Sequence, residues 1–415
     1  MSIWEDRVKR ALANKPTHIS QVKQPKGRKE VRQSLKRPRP QPPIPVGGMP
    51  ARYEEPETKD LKAPKVEPIK MVSKNTLFVT GQLIGYSGYD NIFYEITNGL
   101  LSLGLDVRIS TATLFTQQVA PPHWSKLIAM KPPENWDIII LPPPSVEGYH
   151  LHKKSIIFTM WETDHVEPQW TNALNKSAFI INCSQWGIDT FKASGVNVPM
   201  YKIPLGHNPL YFNPEGSFPN ECVFGVAAAL NSGGIRKNVG ATIEAFSKAF
   251  SNGEKVRLKI KLTPHCNLPL VNDKRIEIIK AYLSPLELAH WYRSLTALVN
   301  TSYCEGFGLH LLEAMACERC LISTKYSAVA EYFDENVGYV IDHKIVPANG
   351  KGIVPYTGHW AEPSVDSLVE KMSEVYNDKE KVKFLGEQAG IRASELSWRK
   401  TGQRLVDLLR EKQVI

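Results

Sequence analysis

The sequence lacks any apolar run long enough to cross a membrane. No stretch of the 415-residue chain reaches the roughly 18 consecutive apolar residues of a membrane-spanning helix. The first residues also lack the apolar core of a secretory signal. Cysteine is scarce, and its spacing fits neither a disulfide framework nor a zinc site. The six cysteines are Cys183, Cys222, Cys266, Cys304, Cys317 and Cys320. These absences predict a protein of the reducing cytoplasm.

Acidic residues are fewer than basic residues only in the N-terminal part of the chain. Residues 1–70 contain 17 Lys/Arg and 8 Asp/Glu, whereas the other 345 contain 34 of each, so the net charge of +9 comes from this end. Its proline-rich, aromatic-poor composition predicts a disordered basic tail over residues 1–72. The tail could be a flexible spacer, an arm that binds nucleic acid, or a binder of acidic lipid or of a protein partner. Its basic clusters comprise Lys23, Lys26, Arg28, Lys29, Lys36, Arg37 and Arg39.

The chain just beyond the tail has the pattern of a βαβ unit. Residues 77–80 and 107–109 have the composition of strands, and the apolar residues between them recur at helical spacing. The loop after the first strand contains Gly85, Ser87 and Gly88, where the backbone could approach a phosphate or a sugar closely. An ordinary tight turn explains these glycines equally well.

A glycine-rich turn lies between two glutamates, Glu305 and Glu313, and opens a helix. Eight positions along a mostly helical path separate two Cα atoms by no more than about 12 Å. This spacing suits a ligand with hydroxyls at both ends and a charged bridge between them, as in a nucleotide-activated sugar. Backbone N–H groups of the turn would face the diphosphate from a helix N-terminus. The turn consists of Gly306, Phe307, Gly308 and Leu309. A buried helix start with one capping glutamate is the plainer alternative.

Two cations precede another helix in the same part of the chain. Arg236 and Lys237 follow an apolar strand at residues 223–230 and come before apolar residues at helical spacing from Val239 onward. A flexible loop at a helix N-terminus is a natural place to clamp phosphate. A solvated pair of cations is the alternative. The two-glutamate turn downstream in the same alternating α/β segment favours the phosphate site.

A polar segment follows the predicted strand at residues 155–160. Such a segment lies at the carboxyl end of its strand, where ligands bind in open α/β sheets. His165 is the first candidate for contact with a ligand there, and Glu162 is a second candidate. A polar surface residue is the alternative for either one.

These motifs occur in an order that resembles a retaining nucleotide-sugar glycosyltransferase of the two-Rossmann (GT-B) type, most like family 4, over residues 76–412. The two-glutamate motif is the most specific part of the resemblance. It implies an α/β fold with two Rossmann-like domains facing a cleft. The implied limits are residues 73–205 for the acceptor-side domain, 220–394 for the nucleotide-sugar domain, and 397–415 for a C-terminal helix that crosses back to the first domain.

The resemblance also implies roles for the candidate residues. Glu305 would lie by the donor sugar, Glu313 would hold the ribose, and the two cations would neutralise the diphosphate. The chain departs from the family at Asn231 and Ser232, where the family's phosphate-binding arginine usually lies, and Arg236 is the candidate to substitute for it. His165 corresponds loosely to a histidine that the family often has in this area, so the resemblance implies that it touches the sugar or shields positive charge at the anomeric carbon.

The implied reaction moves a sugar onto an acceptor hydroxyl with retention of anomeric configuration. The chain has no Asp-x-Asp sequence, the usual metal-binding carboxylate pair at a diphosphate, so we expect no metal site and no cofactor beyond the nucleotide-sugar co-substrate. Same-face attack assisted by the leaving phosphate would need no dedicated base. The acceptor could be a glycan or a small glycoside. Two alternatives stay open: the same chemistry on a modified nucleic-acid base held by the tail, and an inactive sugar-nucleotide-binding module.

Overall fold

The computed structural model describes most of the chain beyond the predicted tail. The described residues are 73–83, 87–115, 121–229, 234–264, 266, 268, 271–348, 354 and 356–415. The tail over residues 1–72 and the predicted donor-binding residue Gly85 lie outside them, so both stay predictions.

The N-terminal half is a seven-stranded parallel sheet with helices packed on it. Its strand order is β5-β3-β1-β6-β7-β8-β9, so the first strand lies in the middle and the order reverses beside it. Ligands bind at such a switch point, outside the carboxyl ends of the strands. The elements are β1 (Leu77–Thr80), β2 (Gln82–Leu83), α1 (Gly88–Ser102), β3 (Val107–Ser110), β4 (Leu114–Phe115), β5 (Ile128–Ala129), β6 (Asp137–Ile140), α2 (Pro143–Val146), β7 (Ser155–Phe158), α3 (Pro168–Leu174), β8 (Phe179–Asn182), α4 (Gln185–Ala193) and β9 (Met200–Lys202).

The C-terminal half repeats this plan with a six-stranded parallel sheet. Its order is β12-β11-β10-β13-β14-β15, again with the first strand in the middle. An antiparallel hairpin, β16–β17, follows the sheet. The elements are β10 (Cys222–Ala228), α5 (Gly234–Lys237), α6 (Val239–Ala249), β11 (Val256–Leu262), β12 (Ile276–Lys280), α7 (Pro285–Arg293), β13 (Ala297–Asn300), α8 (Leu309–Ala316), β14 (Cys320–Thr324), β15 (Gly338–Ile341), β16 (His343–Pro347), β17 (His359–Pro363), α9 (Val365–Asn377), α10 (Lys379–Ala393) and α11 (Trp398–Glu411).

Helix α1 shows how local sequence determines where a helix begins and ends. Ser87 and Asp90 form a capping box: the Asp90 N–H donates to Ser87 Oγ at 3.2 Å, and the Ser87 N–H donates to Asp90 Oδ2 at 2.8 Å. Ile92 and Ile96 are buried on one face of the helix. Gly104 follows the helix with φ of +81°, a left-handed conformation that favours glycine. The predicted βαβ unit is therefore present.

The last helix, α11, packs against α1 of the N-terminal half. Gly99 and Gly402 lie at this contact and allow the two helices to approach closely. The Thr401 hydroxyl donates to the Pro204 carbonyl at 2.8 Å. Three leucines of α11 are buried: Leu405, Leu408 and Leu409. The structure thus has two Rossmann-like sheets, and the end of the chain returns to the first.

Candidate active site

The two-glutamate turn begins helix α8 as the sequence predicted. Gly308 precedes the helix with φ of +87°, and no side chain caps the helix. The Tyr332 hydroxyl lies 2.6 Å from the Phe307 carbonyl oxygen and 3.1 Å from that of Gly308, and its proton is shared between them. This tyrosine holds the turn in one conformation. The first N–H groups of α8 are then free to meet an anion.

Glu305 is buried and held by both backbone and side-chain contacts. Its N–H donates to Ser327 Oγ at 3.2 Å, and the Ser327 hydroxyl lies 3.0 Å from the Glu305 carbonyl. Its carboxylate lies between two cations, with Lys237 Nζ 2.5 Å from Oε1 and Arg236 Nη1 3.2 Å from Oε2. The structure therefore brings together three residues that are up to 69 positions apart in the chain.

Arg236 and Lys237 are the last two residues of the short helix α5, whereas the sequence analysis predicted that they lie on a loop. Asn238 then adopts a left-handed conformation with φ of +45°, and α6 begins without a side-chain cap. Arg236 Nη1 also donates to the Cys304 carbonyl at 2.5 Å, which ties α5 to the segment before Glu305. A second uncapped helix N-terminus consequently lies directly after Lys237.

The buried charges shift one another's pKa values. Burial would raise the pKa of Glu305, but Lys237 and Arg236 outweigh it and hold this pKa well below its ordinary value. Burial would lower the pKa of Arg236, but Glu305 and Glu162 raise it. Burial lowers the pKa of Lys237 in spite of Glu305. The cluster therefore holds an ionised carboxylate and a guanidinium that stays charged.

A fourth charged residue, Glu162, reaches this cluster from the N-terminal half. Its Oε1 lies 3.6 Å from Arg236 Nη2, and its Oε2 accepts a hydrogen bond from the Tyr356 hydroxyl at 3.4 Å. Close by, the Cys183 thiol donates to the Gly306 carbonyl at 3.0 Å. The two halves thus meet around the charged cluster.

Glu313, the second glutamate, is buried and lies about one turn after the first residue of α8. The Tyr292 hydroxyl donates to its Oε2 at 3.0 Å. Burial raises the pKa of Glu313 to about 7, while Tyr292 and Lys261 lower it and Glu95 of the N-terminal half raises it. This carboxyl group is therefore balanced between its two protonation states near neutral pH.

The other predicted site residues described by the structure do not join the charged cluster through their side chains, and each has its own surroundings. Gly306 packs so tightly that a Cβ atom there would lie 2.8 Å from Met160 Cγ. Ser87 uses its hydroxyl to cap α1, and Gly88 is the first residue of that helix. The His165 carbonyl accepts hydrogen bonds from the Trp161 indole at 2.7 Å and from Thr163 at 2.9 Å. The donor-binding role of Ser87 and Gly88 and the sugar contact of His165 stay predictions.

Several residues of the site could not have been identified from the spacing of residues in the sequence. Tyr292 lies in α7, whereas Tyr332 and Tyr356 lie between the named helices and strands, and tertiary packing places all three. His310 lies inside the motif and could have been found there. Burial, Lys237 and Arg236 lower the pKa of His310 to about 3, so its imidazole is neutral.

This arrangement can bind an extended ligand with an anionic centre. Arg236 and Lys237 provide positive charge beside Glu305, and the helices α6 and α8 that follow these residues each begin without a cap from the side chain of the preceding residue. Glu305 and Glu313 can each accept hydrogen bonds from hydroxyl groups. Among the described residues, no group of His, Cys, Asp and Glu lies together in a way that could hold a metal ion.

Comparison with known proteins gives a match to a family model within the C-terminal half of the chain. Residues 277–391 match the family model "Glycosyl transferases group 1". The chain is 28% identical over 136 residues to D-inositol 3-phosphate glycosyltransferase of Pseudarthrobacter chlorophenolicus. That match covers 32% of this chain and spans 28% of the relative's own length.

Two solved structures resemble the whole described fold. Sucrose-phosphate synthase from Thermosynechococcus elongatus superposes with a TM-score of 0.59 at 13% identity, over 81% of this chain and 98% of that one. Anabaena HepE in complex with UDP-glucose gives a TM-score of 0.58 at 12% identity, over 81% and 99%. At such identities the likeness shows the fold alone.

The predicted fold class is therefore confirmed: two Rossmann-like parallel-sheet domains in the GT-B arrangement. The predicted resemblance to GT-B glycosyltransferases is confirmed with it, because the matched segment of residues 277–391 contains the two-glutamate turn. No helix in the described part of the chain is long and apolar enough to span a membrane.

Proposed function

We propose that this protein is a glycosyltransferase that moves a sugar from a nucleoside-diphosphate sugar to an acceptor hydroxyl. The observation that supports it most is the cluster of Glu305, Arg236 and Lys237 beside the uncapped start of α8, with Glu313 further along the same helix. A diphosphate fits the cations and the helix start, and a hydroxyl-bearing group fits each glutamate. We further propose retention of configuration, a metal-independent reaction, and a glycan or small glycoside as acceptor.

The proposed chemistry depends on where charge develops. Cleavage of the bond between the anomeric carbon and the phosphate gives an oxocarbenium-like sugar and leaves the electron pair on the diphosphate. Arg236 and Lys237 lie where they can stabilise that negative charge in a partly buried cleft, usually the largest catalytic contribution. We propose that Glu305 lies on the sugar side of these cations, where its ionised carboxylate would accept hydrogen bonds from sugar hydroxyls.

Glu313 is proposed to hold the ribose of the nucleotide. Ribose hydroxyls have the same charge in the ground state and in the transition state, so this contact contributes to binding more than to rate. We therefore expect Glu313→Ala to weaken nucleotide binding with little change in turnover at saturation. Glu305→Ala should reduce turnover more than affinity.

The test is turnover of a panel of nucleotide sugars. Release of nucleoside diphosphate is measured with UDP-, ADP- and GDP-linked sugars, beginning with UDP-glucose, the ligand of Anabaena HepE. The wild type should release nucleoside diphosphate from at least one donor, and Lys237→Ala should nearly abolish that release. Lys248→Ala is the matched control, because Lys248 pairs with Glu244 on the exposed face of α6. A wild type that neither binds nor cleaves any donor would contradict the proposal.

A further inference from the structure

Glu162 is the one member of the charged cluster that belongs to the N-terminal half. It follows β7 by a few residues, and the backbone just before it is fixed. The Met160 N–H donates to the Tyr89 hydroxyl oxygen at 3.1 Å, and the Tyr89 hydroxyl donates to the Met160 carbonyl at 3.0 Å. The adjacent Trp161 is buried against Trp170, with ring centroids 5.0 Å apart. The carboxylate therefore extends from a rigid support.

The contacts of Glu162 leave its carboxylate free to accept another hydrogen bond. Among the described residues its two partners are loose, Arg236 at 3.6 Å and Tyr356 at 3.4 Å. A carboxylate has about four lone-pair positions, so two weak contacts do not satisfy it. Its side chain is 20% exposed, against 7% for Glu305 and 9% for Arg236. Of these three side chains, Glu162 is the most accessible.

The β16–β17 hairpin brings Tyr356 to this place and links it to the same segment. The His359 N–H donates to Asp164 Oδ1 at 2.5 Å, and the Asp164 N–H donates to the His359 carbonyl at 3.2 Å. Thr357 hydrogen-bonds to Glu167. The hairpin and the segment after β7 therefore hold each other, and Tyr356 keeps its position over Glu162.

We propose that Glu162 is the general base for the attacking hydroxyl and that Tyr356 positions it. This rests on the proposed function. The acceptor oxygen forms a bond to the anomeric carbon, the bond from that carbon to the phosphate oxygen breaks, and its electron pair leaves with the diphosphate. The proton of the attacking hydroxyl goes to the Glu162 carboxylate.

The position of Glu162 is compatible with retention. Arg236 contacts Glu162 and, in the proposed function, the leaving phosphate, so the base lies on the same face of the sugar as the leaving group. The proposed base differs from the expectation in the sequence analysis, in which the leaving phosphate alone assists deprotonation of the acceptor hydroxyl. The proposal also gives the N-terminal half a role in the chemistry. The sequence analysis offered only His165 and Glu162 as candidates for such a role.

The test compares Glu162→Gln and Glu162→Ala with the wild type, using the donor from the panel that the wild type cleaves. Loss of a general base should slow nucleoside diphosphate release by about 10²- to 10⁴-fold. Both variants should bind the nucleoside diphosphate as tightly as the wild type or more tightly, because an anion beside the phosphate-binding Arg236 has been removed. Formate should restore part of the activity of Glu162→Ala, because it can occupy the vacated space and accept a proton.

Glu167→Gln is the matched control, since Glu167 contacts the same hairpin at Thr357 and none of the cluster residues described above. It should release nucleoside diphosphate like the wild type. The inference is overturned if Glu162→Ala turns over at the wild-type rate. It is also overturned if this variant binds the nucleoside diphosphate more weakly and formate has no effect, because Glu162 would then only join the two halves. Absence of donor cleavage by the wild type would instead contradict the proposed function.

Discussion

The affinity of the site for a nucleotide sugar should rise with pH around neutrality, because of Glu313. Burial raises the pKa of this carboxyl group to about 7, and the Tyr292 hydroxyl and Lys261 keep it from rising further. An ionised carboxylate can accept hydrogen bonds from ribose hydroxyls at both oxygens, whereas a protonated one has lost part of that capacity. Below the pKa of Glu313 the site is therefore mostly in its weaker-binding form.

The size of the effect follows from the fraction of Glu313 that is ionised. With a pKa of about 7, roughly a tenth of the groups are ionised at pH 6 and roughly nine tenths at pH 8. The association constant should therefore increase over this range, by at most about tenfold, the limit reached if the protonated form does not bind, and then level off. His310 does not contribute, because its pKa of about 3 keeps it neutral throughout. Isothermal titration calorimetry with a nucleotide sugar measures this change, since such a donor lacks a terminal phosphate that ionises near pH 7.

Two variants separate Glu313 from other titrating groups. Glu313→Gln should bind more weakly at pH 8 and show a flat profile from pH 6 to 8. Tyr292→Phe should move the rise to higher pH, because the lost hydrogen bond lowers the pKa of Glu313 in the wild type. A flat profile in the wild type, or the same rise in Glu313→Gln, would refute the reasoning.

Three further predictions test other parts of the account. Lys237→Ala should lower turnover by about 10²- to 10³-fold, the usual effect of removing one preorganised charge stabiliser, and steady-state kinetics at saturating donor would show it. Gly308→Ala should reduce the free energy of unfolding by about 2–4 kcal/mol, because it forces a left-handed alanine and disturbs the Tyr332 hydrogen bonds. In that variant the new Cβ atom would lie 2.8 Å from the Tyr332 hydroxyl oxygen. Urea denaturation should show no such loss for Gly240→Ala, where no atom in the described part of the chain lies within 4 Å of an added Cβ atom. A chelator should leave donor cleavage unchanged, and restoration of a lost activity by Mn²⁺ would contradict the metal-independent mechanism.

The elements of the fold were predictable from local patterns in the sequence. The strand at residues 77–80, the apolar face of α1 and the helix start after Gly308 each depend on neighbours a few positions away. Spacing within one segment also indicated Glu305 and Glu313, because a helix fixes the distance between them. These predictions needed no knowledge of how distant segments meet.

The contacts that complete the site were not predictable in this way. Tyr356 and Glu162 are 194 positions apart, and their hydrogen bond depends on a hairpin that packs on the opposite half. The hydrogen bonds from Tyr332 to the turn before α8 span about two dozen positions and follow no periodicity. The sequence analysis identified Glu162 as a candidate, but only the pairing with Arg236 shows which cluster it joins. Tertiary packing, rather than propensity, determines such pairs.

The central claim is that Arg236 and Lys237, the two cations beside Glu305, bind the diphosphate of a nucleotide sugar. Calorimetric titration of the wild type and of Lys237→Ala with the nucleoside diphosphate of the working donor tests it most directly. The account predicts saturable one-to-one binding by the wild type and clearly weaker binding by Lys237→Ala, with Lys248→Ala unchanged. Equal affinity in the wild type and in Lys237→Ala would show that the diphosphate binds elsewhere and would contradict the account.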